Sequence, residues 1–292
     1  MSKIKILIPI YNDWQSVIKL LDDINTEVSK LDIEFSVIVV NDASTEVRPK
    51  FSVSLTNLRS VQIINMKENK GHARCNAAGL KYISENSDFD IVIPMDADGE
   101  DRPAELGTLL CKSYENPKKV ITADRVKRSE GFFFKFCYLV HKYLTFIFTG
   151  KSIKYGNYTC LPKFAVNQMV NNSATWSSFS GSVAKIFKDK YLTSISSTRG
   201  TRYFGPSKMS FVNLLKHSLS IIAVFKTALL IRSIFFLTVY LFIIKDNISI
   251  ITLMPLVVII SILISAMILS KRENMSEFNN SLENIQSIDQ IK

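Results

Sequence analysis

The chain has 292 residues, enough for one medium domain with an appendage. Hydrophobic residues make up 47% of it and mean hydropathy is +0.15, values too high for a uniformly soluble protein; the apolar residues crowd late in the chain, which points to a membrane portion. Net charge is +10, from 36 basic and 26 acidic residues, a balance suited to nucleic acid, an anionic membrane surface or phosphorylated substrates. Cys75, Cys111, Cys137 and Cys160 show no C-x-x-C spacing and no nearby His, so they read as reduced cytosolic thiols, and zinc is not expected.

Lys3–Ile10 reads as a strand beginning almost at Met1. It lacks the apolar region and small-residue cleavage site of a signal peptide, so this part is expected to stay cytoplasmic. Pro9 ends the strand, and Tyr11-Asn12-Asp13 forms a polar turn before a helix with Trp14, Val17, Ile18, Leu20, Leu21 and Ile24 inward. A second strand, Phe35–Val40, is apolar throughout, as strands covered on both faces are, and runs into Asn41-Asp42-Ala43-Ser44-Thr45. A third, Val61–Asn65, leads through Asn69-Lys70-Gly71-His72-Ala73-Arg74 into a helix reaching Tyr82. Ile91-Val92-Ile93 forms a fourth, ending in Asp96-Ala97-Asp98-Gly99 with Pro103 at the start of the next helix. Val120–Ala123 is a fifth.

Strands alternating with helices predict an open, mostly parallel α/β sheet, whose ligands bind outside the carboxyl ends of the strands. Asp13, Asp42, Arg74, Asp96 and Asp98 all follow strands and should gather on that one rim. Taken singly, Asp42 and Arg74 read as cap or surface residues; together they offer carboxylates for a base and ribose and a cation for phosphate. Asp96 and Asp98, one residue apart, can share a divalent ion. Oxygen ligands suit Mg²⁺ or Mn²⁺, which also bind substrate phosphates.

Ile8-Pro9-Ile10-Tyr11-Asn12, Val40-Asn41-Asp42-Ala43-Ser44-Thr45, Asn69–Arg74 and Met95-Asp96-Ala97-Asp98, in this order, resemble the motifs of family 2 glycosyltransferases with the GT-A (Rossmann-like) fold. The similarity is greatest to the polyprenyl-phosphate branch, the dolichol-phosphate mannose synthases and bactoprenol glucosyltransferases, and covers roughly residues 3–270. The resemblance implies that Pro9, Tyr11, Asp13 and Asp42 hold the nucleoside, that Gly71 and Arg74 lie near the diphosphate, and that Asp96, Ala97 and Asp98 meet it, the two acids through the metal. It implies no nucleic-acid partner.

The chain departs from that branch at Gly156-Asn157-Tyr158-Thr159, where relatives often carry Gly-Asp-Phe-Arg or Gly-Ser-Phe-Arg. Losing an acid there would matter for an enzyme that deprotonates a sugar hydroxyl. It matters less for a phosphate acceptor, whose second pKa of about 6 leaves it mostly dianionic near neutrality. Positive charge is then the requirement. Asp124-Arg125-Val126-Lys127-Arg128 resembles the branch's Arg-rich segment, and the expected catalytic set is Asp98, Arg125 and Arg128.

Twelve apolar or aromatic residues crowd Arg128–Thr149 over about six helical turns, with Arg128, Lys135 and Lys142 seven apart on one stripe. This fits a helix in a membrane interface, or equally one packed on the sheet with snorkelling lysines. Trp176 and Ser177–Ser182 read as a loop. The cluster Arg199 to Lys208 is expected to clamp the acceptor phosphate through Arg199, Arg202 and Lys208 beside Arg125 and Arg128, or to serve as a juxtamembrane basic patch.

Phe211–Leu219 is an amphipathic lead-in; Thr227–Ile244 and Ile248–Leu269 are spans of about the length a ~30 Å hydrocarbon core needs, separated by Lys245-Asp246-Asn247. Arg232 is expected to snorkel, and basic residues on both flanks place both ends in the cytoplasm. The tail from Glu273 reads as loose helix or disorder. The expected organisation is a cytosolic GT-A domain over 1–207, a juxtamembrane segment over 208–226, a transmembrane hairpin over 227–270 and a cytosolic tail over 271–292. The expected protein is an inverting, membrane-anchored enzyme of the inner membrane moving sugar from a UDP- or GDP-linked donor to a polyprenyl phosphate. A sugar-hydroxyl acceptor, or a catalytically weak nucleotide-sugar-binding module, are the alternatives. The absence of Q-x-x-R-W speaks against a processive synthase. The sugar, the base and any homo-oligomer stay open.

Overall fold

A computed structural model describes residues 2–51, 53–127, 132–205 and 211–292. The five expected strands are present as β1 (Lys3–Ile10), β2 (Glu34–Asn41), β3 (Ser60–Met66), β4 (Ile91–Pro94) and β5 (Val120–Lys127). Three more join them: β6 (Tyr155–Pro162), β7 (Leu192–Thr198) and β8 (Ile285–Gln290). The sheet order is β7-β5-β6-β4-β1-β2-β3-β8. β4, β1, β2 and β3 run parallel, as do β5 and β7, whereas β6 and β8 are antiparallel to their neighbours.

The apolar runs are explained by cover on both faces. Ile4, Ile6 and Ile8 of β1 pack with Val37 and Val39 against α1 (Trp14–Val28) and α3 (Leu106–Glu115). Leu7, Ile38 and Val40, pointing the other way, pack against α2 (His72–Asn86) and the helices α5 (Lys163–Val170), α6 (Ser173–Ser177) and α7 (Phe179–Ile186). The stretch from Trp176 to Ser182, read from sequence as a loop, is thus helical and buried. Two side-chain caps start these short helices: Asn172 Oδ1 accepts the Ala174 amide at 3.0 Å, and Ser178 Oγ accepts that of Gly181 at 3.3 Å.

A third cluster lies apart from the sheet. Here α4 (Phe132–Thr149) contributes Phe148 to a core with Ile222 of α8 (Phe211–Ala223), Leu229 of α9 (Lys226–Ile244) and Ala266 of α10 (Ile250–Ser270). Helix α4 packs on α8 and α9 rather than on the sheet, while Leu139, Val140, Tyr143, Phe146 and Ile147 stay exposed. Both α9 and α10 are long and apolar enough to cross a membrane, with mean hydropathy 2.2 and 2.7. Helix α10 starts two residues later than expected because Ser249 and Thr252 form a reciprocal capping box. Arg232 does not run free toward an interface. Its guanidinium donates to the Ile147 carbonyl at 2.9 Å, where a cation meets the negative end of the α4 dipole.

The tail departs most from expectation. After α11 (Met275–Asn279), β8 pairs antiparallel with β3, from Gln62 opposite Gln290 to Met66 opposite Ile285. An open β3 edge would leave a row of unpaired backbone groups, and the tail supplies their partners. One side of an edge strand faces solvent, so β8 is mostly polar and carries little apolar signal.

Candidate active site

The sheet's carboxyl rim is assembled from two interlocked loops. Asn12, just after β1, and Ala43, just after β2, take the left-handed conformation at φ 52° and 56°. The first suits Asn; the second costs Ala of order 1–3 kcal/mol and persists only when its surroundings fix it. The Asn12 amide donates to Ser44 Oγ at 2.8 Å, and Asn12 Oδ1 accepts the Thr45 and Glu46 amides at 2.8 and 3.1 Å. Trp14 Nε1 adds a bond to the Glu46 carbonyl at 3.2 Å. Of the residues expected around a nucleoside, Pro9 lies within β1, Tyr11 is 47% exposed at the rim, and Asp13 at the start of α1 accepts the Ser16 hydroxyl at 2.7 Å. Asp42 is buried and spends one oxygen on the Lys70 amide (2.9 Å) and the other on that of Gly71 (2.8 Å). It therefore holds the loop that begins α2, where Gly71 supplies φ 89°.

Beyond β4 the chain turns through six residues holding four acids, Asp96, Asp98, Glu100 and Asp101. Asp101, buried, accepts the Asp96 amide at 2.9 Å and faces Arg125 Nη2 at 3.5 Å; the same nitrogen lies 4.0 Å from Asp96. Gly156 on β6 makes room for that guanidinium, since a Cβ there would stand 2.9 Å from Nη2. Asn157, next along β6, donates from Nδ2 to Asp96 Oδ1 at 2.9 Å and lies 2.6 Å from His72 Nε2. His72 Nε2 is itself 3.3 Å from Asp96 Oδ1. Asp98 accepts the Glu100 amide at 2.9 Å and pairs with Arg202, while Arg199 pairs with Glu100. The segment carrying those arginines lies flat on the turn: Gly200 donates to the Glu100 carbonyl at 2.9 Å, and Tyr203 to that of Asp98 at 2.9 Å. A side chain at Gly200 would strike the Gly99 carbonyl.

So dense an acid cluster splits its titrations. Burial and then the Asp96 charge push Asp98 up to about 6 and Asp101 up to about 7. Burial would raise Asp96 too, but His72, Arg125 and Asn157 hold it below the usual carboxylate range. Burial works against the His72 imidazolium, and Asp96 more than offsets it, raising that pKa. Asp42 is raised by burial against the two amides that lower it.

Asp42, Asp96, Asp98, Arg125 and Arg202 are thus brought to one rim, with Ala97 buried between the two acids and Arg199 one turn away. Arg128 and Lys208 lie outside the described residues. Arg74, expected near the diphosphate, has its Nη2 3.1 Å from Glu277 Oε2 of α11, and its guanidinium stacks over the Trp176 ring at 5.3 Å. The tail, read as loose, supplies the acid that captures it. Sequence reasoning passed over His72 and Asp101. Asp101 could have been found as the fourth acid of D-A-D-G-E-D; His72 had no signal beyond its place after Gly71, because its partner Asn157 is 85 residues away. Among the described residues no three His, Cys, Asp or Glu side chains converge as a ready metal cage.

The fold recurs in solved structures. Glucosyl-3-phosphoglycerate synthase from Mycobacterium tuberculosis, in complex with Mn²⁺, UDP-glucose and phosphoglyceric acid, superposes with a TM-score of 0.56 at 13% identity, over 78% of this chain and 80% of that one. Mannosyl-3-phosphoglycerate synthase from Rubrobacter xylanophilus gives 0.57 at 14% identity, over 76% and 72%. A mannosyltransferase from Pyrobaculum calidifontis, in complex with GDP-Man and Mn²⁺, gives 0.51 at 15% identity, over 97% and 76%. At such identities these likenesses speak to architecture alone. The family model described as glycosyl transferase family 2 matches residues 5–176, the stretch that carries both interlocked loops and the acid turn, and the chain belongs to that family.

Proposed function

We propose that this glycosyltransferase moves a sugar from a UDP- or GDP-linked donor to a polyprenyl phosphate, such as undecaprenyl phosphate, at the cytoplasmic face of the inner membrane. The interlocked 12 and 43 loops receive the nucleoside, and the acid turn with Arg125 receives the diphosphate. Asp96 and Asp98 fit a Mg²⁺ or Mn²⁺ ion, because such ions take one or two carboxylates and complete their shell with water and substrate phosphate. Arg202 on Asp98 shows that the turn draws positive charge. Bound there, the ion would supply neutralisation of the leaving diphosphate.

The acceptor class is carried by one observation, Asn157. An amide that donates to Asp96 stands where relatives of this branch often have an acid, so it is no base. A lipid phosphate needs none, since its second pKa is about 6. One of its oxygens attacks the anomeric carbon; the bond from that carbon to the nucleoside diphosphate breaks, its electron pair leaves with the diphosphate, and configuration inverts. No proton has to move. Arg125 and Arg202, with Arg199 and the undescribed Arg128 and Lys208, furnish the charge that holds two anions together. The apolar module of α4, α8, α9 and α10 brings a lipid acceptor to the domain.

Membranes containing the protein, incubated with radiolabelled UDP- and GDP-sugars and undecaprenyl phosphate, test this directly. Label in an organic-soluble, acid-labile lipid is the expected result. Transfer only to a glycan-bearing lipid would replace the phosphate acceptor by a hydroxyl, and donor binding without transfer would leave a binding module.

A further inference from the structure

The C-terminal strand touches more than a sheet edge. Antiparallel pairing sets Ser287 opposite Asn65 and Asp289 opposite Ile63, with residues two apart on one face. From that face Asp289 Oδ2 accepts Arg48 Nη1 at 2.5 Å and Asn65 Nδ2 at 3.0 Å, and Ser287 Oγ accepts the second Asn65 amide proton at 3.0 Å. The polar chain then continues inward. Asn65 Oδ1 accepts Asn41 Nδ2 at 3.0 Å, Asn41 Oδ1 accepts the Ser44 amide at 3.0 Å, and Ser44 Oγ accepts the Asn12 amide at 2.8 Å. The relay ends on both loops of the rim. Arg48 grips the far side of the second loop.

We propose that the segment after the hairpin is part of the donor site, with Asp289 as a positioning residue that sets nucleoside affinity by fixing the 41–48 loop through Asn65 and Arg48. This rests on the assignment of that loop to the nucleoside under Proposed function. The loop needs such a brace. Ala43 sits at φ 56°, a conformation its own sequence does not favour, so neighbouring contacts must fix it. The same segment is also secured on the other side of β3, where Glu277 pairs with Arg74 and Phe278 stacks on Trp176 at 5.3 Å. Donor affinity therefore depends on residues that the chain supplies only after its two apolar helices.

The test uses the purified full-length protein, with UDP and GDP as probes in calorimetry with Mn²⁺, and donor kinetics alongside. D289N keeps the shape of the side chain and removes its charge. The expected result is a rise in the nucleoside diphosphate Kd and the donor KM of about two- to fivefold, the range of one half-exposed ion pair, with kcat and melting temperature near wild type. The exchanged pair R48D/D289R recovers at least part of that affinity. Unchanged Kd and KM in D289N would overturn the inference, as would parallel losses of Tm and kcat, which mark a purely structural strand. A wild-type protein that binds neither UDP nor GDP would instead refute the functional assignment on which the inference stands.

Discussion

Asn157→Asp puts a carboxylate beside the acid turn, and the structure says what it would meet. Asn157 Nδ2 is 2.9 Å from Asp96 Oδ1, so the substitution replaces a donated hydrogen bond by two facing carboxylates. Two unit charges about 4 Å apart repel by about 4 kcal/mol at an effective dielectric of 20 and about 1 kcal/mol in water. The Asp96 side chain is 23% exposed, which sets a range of about 1–3 kcal/mol between these limits. For a chain of this size that lowers Tm by about 2–12 °C. A cation bound at the turn would remove the repulsion, so Mn²⁺ should stabilise N157D more than wild type. Differential scanning fluorimetry at pH 8, with EDTA and then with Mn²⁺, reads both quantities. An EDTA-treated N157D that melts with wild type and gains nothing extra from Mn²⁺ would refute the placement of Asn157 on the acid cluster.

Arg125→Ala should reduce turnover at least about a hundredfold, the scale of one electrostatic contact in the transition state, whereas Asn157→Ala should keep much of it; a near-wild-type rate for Arg125→Ala in the lipid assay would break the charge-based mechanism. Arg202→Ala frees the Asp98 oxygen it now covers, so Mn²⁺ titrated without donor and followed by EPR should bind tighter, by up to about tenfold for a pair of about 1.4 kcal/mol, even as transfer slows; unaltered Mn²⁺ affinity would count against metal and arginine sharing that acid. In the cation-free protein, Asp98 and Asp101 hold protons at pH values where the unfolded chain, at 3.8, has released them. The folded state then binds more protons than the unfolded one, so stability falls as pH rises from about 4 to about 7, and the raised His72 carries the fall further, which urea titration in EDTA at a series of pH values measures.

The convergence of the strand ends on one rim was legible because its signals are local. Apolar runs ending in Tyr11-Asn12-Asp13, Asn41-Asp42 and Asp96-Ala97-Asp98 mark strands buried on both faces, and parallel topology alone brings their ends together. What escaped is held by partners remote in sequence. Arg74 stood in the motif expected at the diphosphate, yet its neighbour is Glu277, and nothing within Asn69–Arg74 announces that. His72 and Asn157 meet from helix and strand across 85 positions. Strand β8 was hidden for a different reason: an edge strand with one solvent face shows neither an apolar run nor clean alternation, and Ile285-Gln286-Ser287-Ile288-Asp289-Gln290 reads as polar tail until β3 is there to pair with. Trp176, followed by four serines and a glycine among six residues, lacked the apolar spacing of a helix. Its caps, Asn172 and Ser178, were the usable signal.

The return of the tail also constrains how the protein can sit in a bilayer. Strand β3 precedes α9 and α10 in the chain and β8 follows them, yet the two pair in one sheet, so both ends of the helical pair lie in one compartment. A single crossing is thereby excluded: if α9 spans, α10 spans back. The basic residues flanking the pair, Lys226 and Arg232 before and Lys271 and Arg272 after, agree with a cytoplasmic side for both ends, but the sheet makes the argument independently of charge. Only Lys245 to Ser249 would then reach the far surface. Arg232 caps α4 from within α9, and the exposed apolar residues of α4 begin next to that contact, so the helix is fixed against α9 with those apolar side chains left uncovered.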